Sequence, residues 1–282
     1  MLTKHFNYWA TQLAGSPMTH NLPLDKERPA VQHFAGATCL RHLDCDVIDK
    51  LQRLCSDNDA TLLMGLHAAF SVLLSRYSNE TDILVGTLDP LLQTDHPADA
   101  LPNTLVLRSD LSDNPNFTQM LNQSKTLLLD ACAHQQVSFA QLVEKLQPDH
   151  SLRHHPLCQV MLVLQTDQSA APAHTHAAKY DLLLDIRQSE HGLSLSWQYN
   201  TELFVAKTIE RMASHFNGLL GSLLKTPQQN VFTAKMLSDA EVHQQRVQYN
   251  DNHASIPDKH CIHQLFEVQA EQNPNAVAVV FA

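Results

Sequence analysis

The sequence predicts a protein of mixed α/β (or α+β) class, a mixed β-sheet flanked by helices. Three observations carry this. Several segments have the 3.6-residue apolar stripe of amphipathic helices, and others are short runs that alternate or are wholly apolar, as strands are. The two kinds are interspersed without strict strand–helix–strand alternation, so the sheet is not purely parallel.

Taken in order, residues 5–14 read as a short amphipathic helix closed by Gly15-Ser16-Pro17, followed by an extended connector with Pro23 and Pro29. "HFAGATCLRHLD" (33–44) alternates as a strand, and 45–58 carries the stripe Val47, Ile48, Leu51, Leu54 of a surface helix. Thr61 is placed to N-cap a long apolar helix through Tyr77. Strands follow at 82–87 and 103–111, separated by an irregular loop. Helices are expected over 116–135 and 138–147, and strands over 156–167, 179–188 and 193–200. A long amphipathic helix over 205–225 closes the main domain. From 226 to 260 the periodicity fades into a linker, after which a helix from Ile262 leads into the apolar run 276–282, read as a buried strand.

Composition narrows the functional classes. With 282 residues the chain can bury a substantial core, and 44% hydrophobic with 17% charged residues is ordinary for a globular protein. A net charge of -10 without Lys/Arg clusters argues against nucleic acid as a partner. No apolar stretch is long enough for a membrane span, and the N-terminus has no apolar signal region, so a cytoplasmic location is expected. Six scattered cysteines without a C-x-x-C pair are expected to be reduced and mostly buried. Among the eighteen histidines, His154-His155 and His174-x-His176 invite a metal reading, but adjacent histidines rarely face one ion and solvated side chains are the simpler expectation. There is no G-x-S-x-G elbow and no Gly-rich phosphate loop.

Several segments, in this order, resemble the second half of a nonribosomal peptide synthetase condensation domain. "HQQVSFAQLVEKLQPD" (134–149) is similar to the family's HQD-x-PFE-x-LV-x-x-L motif at His134, Gln135, Phe139, Leu142 and Val143, and departs from it at Gln136, Ser138 and Ala140. "SLRHHPLCQVMLVLQ" (151–165) resembles RDxSRxPLFQVMFVLQ at Arg153, Pro156, Leu157, Gln159 and Val160. "NTLVLR" (103–108) resembles the end of GFFVNTLVLR, while "YWATQLAG" and "LPLDKERP" resemble the segment joining the two lobes. "YDLLLDI", "QYNTELF", "MLSDAE" and "QYND" resemble the closing elements and exit linker, and residues 262–280 resemble the opening of an adenylation domain.

The resemblance implies one lobe of a two-lobed, chloramphenicol-acetyltransferase-like fold. It divides the chain into a C-terminal condensation lobe (1–225), a linker (226–260) and the start of an adenylation domain (261–282). The parent reaction joins two substrates carried on phosphopantetheine arms, the amine of one attacking the thioester of the other. The partners implied are an N-terminal lobe, a carrier protein and an adenylation domain, and no cofactor is expected on this chain itself. The family's HHxxxDG signature is absent: none of the seven glycines follows an aspartate. In the family that signature lies upstream of the "YWxxQL" segment, so the chain is expected to lack amide-forming activity alone, with no catalytic residue of its own. The family's Asn-Arg and Gly-Phe-Phe residues are also missing from 86–104, where a charged contact between lobes would be lost.

Several site residues carried by the resemblance keep two readings. Asn103 and Thr104 line the acceptor side of the tunnel or form a turn before a strand; Arg108 pairs with a carboxylate or is solvated. His134 and Gln135 end a helix, where a histidine can satisfy terminal carbonyls, the alternative being a catalytic role. Phe139 is a core residue, Arg153 orients the lead-in to a strand, Pro156 and Gln159 match the motif there, and Tyr180-Asp181 pack or form a hydrogen bond. Two rivals are a standalone interaction or docking module and an acyltransferase half completed by a separate N-terminal lobe. A polar, closed face would favour the first, and exposed apolar surface at the absent lobe's face would fit either the second or a lobe cut from a larger synthetase.

Overall fold

The computed structural model describes residues 2–17, 19–88, 103–146, 151–165, 178–189, 192–251 and 261–281. They form two compact units, Met1–Ser238 and Asp239–Ala282.

The first unit is a six-stranded sheet with helices against it. In chain order its elements are α1 (Leu2–Gln12), β1 (Gly36–Leu43), α2 (Cys45–Asp57), α3 (Leu62–Ser78), β2 (Asp82–Leu88), β3 (Thr104–Asp110), α4 (Phe117–Ala133), α5 (Phe139–Leu146), β4 (Val160–Gln165), β5 (Leu182–Ser189), β6 (Gly192–Asn200) and α6 (Ala206–Lys225). Strand order is β1-β6-β5-β4-β2-β3. The central neighbours β2–β4 and β4–β5 are parallel and the outer pairs antiparallel, the mixed sheet expected from the interspersed pattern.

Helix α3 is the core of the unit. Its residues are apolar on nearly every side, which only a helix surrounded by other elements tolerates. It packs against β2, α2, α4 and α6, with Leu66, Phe70 and Leu73 fully buried. Thr61 caps it, its hydroxyl accepting from the Met64 N–H at 3.4 Å, and Asn79 ends it in the left-handed region at φ 58°. Gly65 lets α2 approach: a Cβ there would lie 2.6 Å from Cys55 Sγ. Phe70, Trp197 and Phe216 meet edge to face, tying α3 to β6 and α6.

The parallel joint between β2 and β4 is narrow, a single ladder pair, Gly86 with Met161. A side chain at Gly86 would collide with Met161 Sδ and lie 2.8 Å from Cys158 Sγ, so any larger residue at this strand crossing would make those side chains shift.

Three expectations are corrected. Residues 226–238, read as linker, pack onto the first unit. The Val231 N–H donates to the Pro115 carbonyl at 2.9 Å, Arg76 donates to the Ala234 carbonyl at 3.1 Å, and Val231 is fully buried. Val231, with Phe232, Ala234 and Met236 partly buried beside it, holds the segment to the core without a periodicity that would reveal it. In the second unit, helices α7 (Asp239–Arg246) and α8 (Ile262–Gln272) form without burying a side chain. The run after α8 is not a buried strand. Val277, Val279, Val280 and Phe281 are exposed, and 276–281 pairs with no strand among the described residues, because an apolar run becomes a strand only when a partner offers an edge. Finally, all six cysteines are thiols, but only Cys55 and Cys158 are buried. Among the described residues no single helix is long and apolar enough to cross a membrane.

Candidate functional site

The site is built where the loops before β4 and β5 meet the extended connector that follows α1. Asp181, directly before β5, is completely buried and takes two guanidinium bonds from Arg28 (Nη1 to Oδ1, 3.1 Å; Nη2 to Oδ2, 2.5 Å). His20 Nε2 lies 2.9 Å from the same carboxylate. The Leu22 N–H donates to His20 Nδ1 at 3.2 Å, so the ring proton sits on Nε2 and is given to Asp181. Burial alone would raise the Asp181 carboxyl; the hydrogen bonds of His20 and Arg28 and the Arg28 charge outweigh it and hold the group below its ordinary range.

Gln159, directly before β4, joins the same network. Its Oε1 accepts from the His20 N–H at 3.1 Å, its Nε2 donates to the His155 carbonyl at 2.8 Å, and its carbonyl accepts from the Asp181 N–H at 2.9 Å. Arg153 reaches back to the connector, donating to the Arg28 and Pro29 carbonyls. The connector is thus stitched to the sheet by charged groups of both segments.

A row of three rings extends the network. Phe139, His155 and Tyr180 lie in succession, with centroid separations of 5.4 and 4.6 Å. His155 Nδ1 donates to the Pro156 and Cys158 carbonyls, and burial lowers its pKa. Tyr180 is pushed up to about 12, first by burial, and its hydroxyl bonds to Thr104. Asn103 closes the far end: its Nδ2 donates to the Gln135 and Val137 carbonyls, and its Oδ1 accepts from the Phe139 N–H at 2.9 Å. Asn103 therefore ties α4 to α5.

The remaining motif residues hold α1. His134 is the residue after α4, but its ring does not turn to the helix carbonyls as expected. It stacks on Tyr8 at 4.1 Å and meets His5, Nδ1 to Nδ1, at 3.0 Å, while its carbonyl accepts from Trp9 Nε1. The α1 rings offer the buried contact that solvent-facing carbonyls do not. At the other end of α1, Arg108 donates to the Gln12 and Ala14 carbonyls at 3.1 and 2.7 Å and forms a two-point pair with Asp82, both bonds 2.8 Å. Of its two readings, the paired one is observed.

Asn103, Thr104, Gln135, Phe139, Arg153, Pro156 and Gln159 therefore converge on one network, whereas His134 and Arg108 clamp α1. His20 and Arg28 escaped sequence reasoning. The one signal was an Arg in a connector segment opposite a Tyr-Asp pair before an apolar strand. His154 bonds a backbone carbonyl, and His174 and His176 lie outside the described residues.

Beside the network lies a cavity of about 400 Å³ lined by Pro17, Thr19, Asn21 and Leu22 of the connector, the end of α3 and the starts of β2 and β4. His20, Leu157 and Gln159 belong to its wall. Cys158 is also there, but burial pushes its thiol up to about 12, which excludes it as a nucleophile at neutral pH.

Comparison with known proteins agrees with this architecture. The Condensation family model, described as the condensation domain, matches residues 1–245, and the chain belongs to that family. It is 36% identical to tyrocidine synthase 3 of Brevibacillus parabrevis over 99% of this chain and 4% of that protein. It is 33% identical to surfactin synthase subunit 1 of Bacillus subtilis (strain 168), over 97% of this chain and 8% of that one. The chain thus spans only a small fraction of these relatives. Among solved structures, a four-domain nonribosomal peptide synthetase bound to AMP and glycine superposes with a TM-score of 0.83 at 21% identity, covering 97% of this chain and 23% of that one. The X-domain from teicoplanin biosynthesis superposes at 0.77 with 23% identity, covering 84% and 57%. These two likenesses establish the fold.

Proposed function

We propose that this chain supplies the C-terminal-lobe half of a condensation domain that forms amide bonds between aminoacyl or peptidyl groups carried as thioesters on phosphopantetheine arms. The observation that carries this reading is the convergence of the Asn103, Phe139, Arg153 and Gln159 motif residues on one network anchored by Asp181. A hydrogen-bonded wall of this kind suits the positioning of two substrates, the larger part of catalysis for a reaction between bound partners. Two titratable groups at the network, Cys158 and Asp181, are not free to act as a base for the attacking amine. Cys158 is buried with a raised pKa, Asp181 is consumed by Arg28 and His20, and HHxxxDG is absent from the sequence. The lobe therefore acts by positioning, beside an N-terminal lobe that carries the histidines. A carrier protein and an adenylation domain complete the assembly, and residues 261–282 are read as the opening of the latter.

The test is amide formation between two carrier proteins loaded with an acyl and an aminoacyl thioester, followed by mass spectrometry. The chain alone should give only background product, and mixing it with an N-terminal condensation lobe carrying HHxxxDG should give amide. Product from the chain alone would overturn the reading.

A further inference from the structure

We propose that the sheet of the first unit hinges between β2 and β4, about the Gly86–Met161 pair. Among the described residues this is the one ladder pair the two strands share, whereas β4 and β5 share six, β2 and β3 seven, and β5 and β6 eight. Asp82 to Val85 have ladder partners in β3 but none in β4 among the described residues. On that side both strands line the cavity, β2 with Ile83 and Leu84, and β4 with Val160 and the two residues before it. A junction held by one pair opens at lower free energy than one held by six to eight, because fewer backbone bonds break.

The joint is packed by groups that tolerate small displacements. Gly86 brings no side chain, and a glycine inside a strand weakens it and admits close approach. Met161 and Cys158 set their sulfurs against it, and both side chains are buried. A methionine thioether is unbranched and deformable, so it keeps contact while the strands shift.

The hinge divides the motif network. Asn103 and Thr104 stand at the start of β3 on one side, and Gln159 and Asp181 directly before β4 and β5 on the other. Side-chain contacts link the two, the Tyr180 hydroxyl with Thr104 and the Phe139 ring with His155. These can part and re-form without unfolding a strand. The connector also crosses the joint. Arg108 of β3 holds the Gln12 and Ala14 carbonyls, and Asp181 holds His20 and Arg28. Gly15 lies between these anchors at φ 66°, with open space where a side chain would be. Opening moves Asn103 and Thr104 relative to Gln159 and Asp181. Its use as a gate in the substrate wall rests on the amide-forming reading; the motion itself does not, and the test reads the motion directly.

Relaxation dispersion of the full 282-residue chain, methyl-labelled at Met, Leu and Val, reports exchange between microseconds and milliseconds. Met161, Val85 and Val160, at the joint, should show dispersion, and Leu184 and Leu195, inside the β5–β6 ladder, should not. Gly86→Cys combined with Met161→Ala supplies a lock, because the new Cβ would lie 2.8 Å from Cys158 Sγ, within reach of a disulfide. Oxidised, with the bond confirmed by mass, this variant should lose the dispersion at Val85 and Val160, and reduction should restore it. If the variant does not fold or does not cross-link, the native chain decides the matter. Flat profiles at all three joint residues, dispersion of equal size at Leu184 and Leu195, or dispersion that survives the lock would each overturn the proposal.

Discussion

Arg28 and Asp181 stand 153 residues apart in the chain and form a two-point ion pair in which the carboxylate is wholly buried. It fastens the connector to the start of β5, and His20, Gln159 and Arg153 bond around it. Removing one partner leaves the other charge buried and unpaired. Arg28→Met should therefore cost about 3–5 kcal/mol of stability, read from urea unfolding midpoints. The double variant Arg28→Met/Asp181→Leu should cost less than the sum of its singles. Because the carboxyl's pKa lies below its ordinary 3.8, its contribution is full above that value and is lost as pH falls through the folded pKa. A single-variant cost under about 1 kcal/mol would remove the pair from the structural anchors of the lobe.

His67, inside α3, should make the protein acid-sensitive. Its ring is fully buried, Nδ1 bonds Ser124 Oγ at 2.8 Å, and Nε2 has no partner among the described residues. Burial lowers its pKa from 6.5 to about 4. The unfolded chain then binds the proton more readily than the folded one. Stability is full above 6.5, falls as the pH drops towards 4, and loses about 3 kcal/mol by the lower end. His67→Phe should flatten the pH profile of thermal unfolding over that window. An unchanged slope would show that other groups set it.

The His5–His134 contact predicts a local acid response of α1. Two Nδ1 atoms at 3.0 Å can share only one proton, so protonating both rings breaks the bond. Burial, then the charges of His5 and Lys4, lower the His134 pKa, against a raising effect of Asp130. Hydrogen exchange of the α1 amides should accelerate as pH falls below 6.5, after correction for intrinsic rates. His134→Phe, which keeps the stack on Tyr8, should remove that acceleration. Equal acceleration in the variant would place the switch elsewhere.

Asn103 should behave as a clamp between helices. Asn103→Ala removes three hydrogen bonds, to Gln135, Val137 and Phe139, and should cost roughly 2–3 kcal/mol. Asn103→Asp keeps the acceptor for the Phe139 N–H and should retain part of that stability. Exchange at the Phe139 amide separates the two: fast in the alanine variant, slower in the aspartate one. Equal exchange in both would mean that Ser138 and Gln141, which bond each other at the same turn, suffice to hold α5.

By itself, the sequence determined what is local. Helix stripes, the Thr61 cap and the alternation of 193–200 each lie within a few turns or one strand length, so composition and spacing decide them. The motif order likewise pointed to Asn103, Phe139, Arg153 and Gln159, although their readings as tunnel, turn or core stayed open. Tertiary structure alone decided which strands became parallel neighbours and that Gly86 lies against Met161. It also decided that Val231 anchors a polar segment, and that the apolar run 276–281 lies exposed, with no strand partner among the described residues. It brought His20 and Arg28 to Asp181. The physical reason is the same in each case. A charge, a glycine or an apolar run specifies a need for a partner, and the partner is set by the path of the whole chain, which no window of neighbouring residues contains.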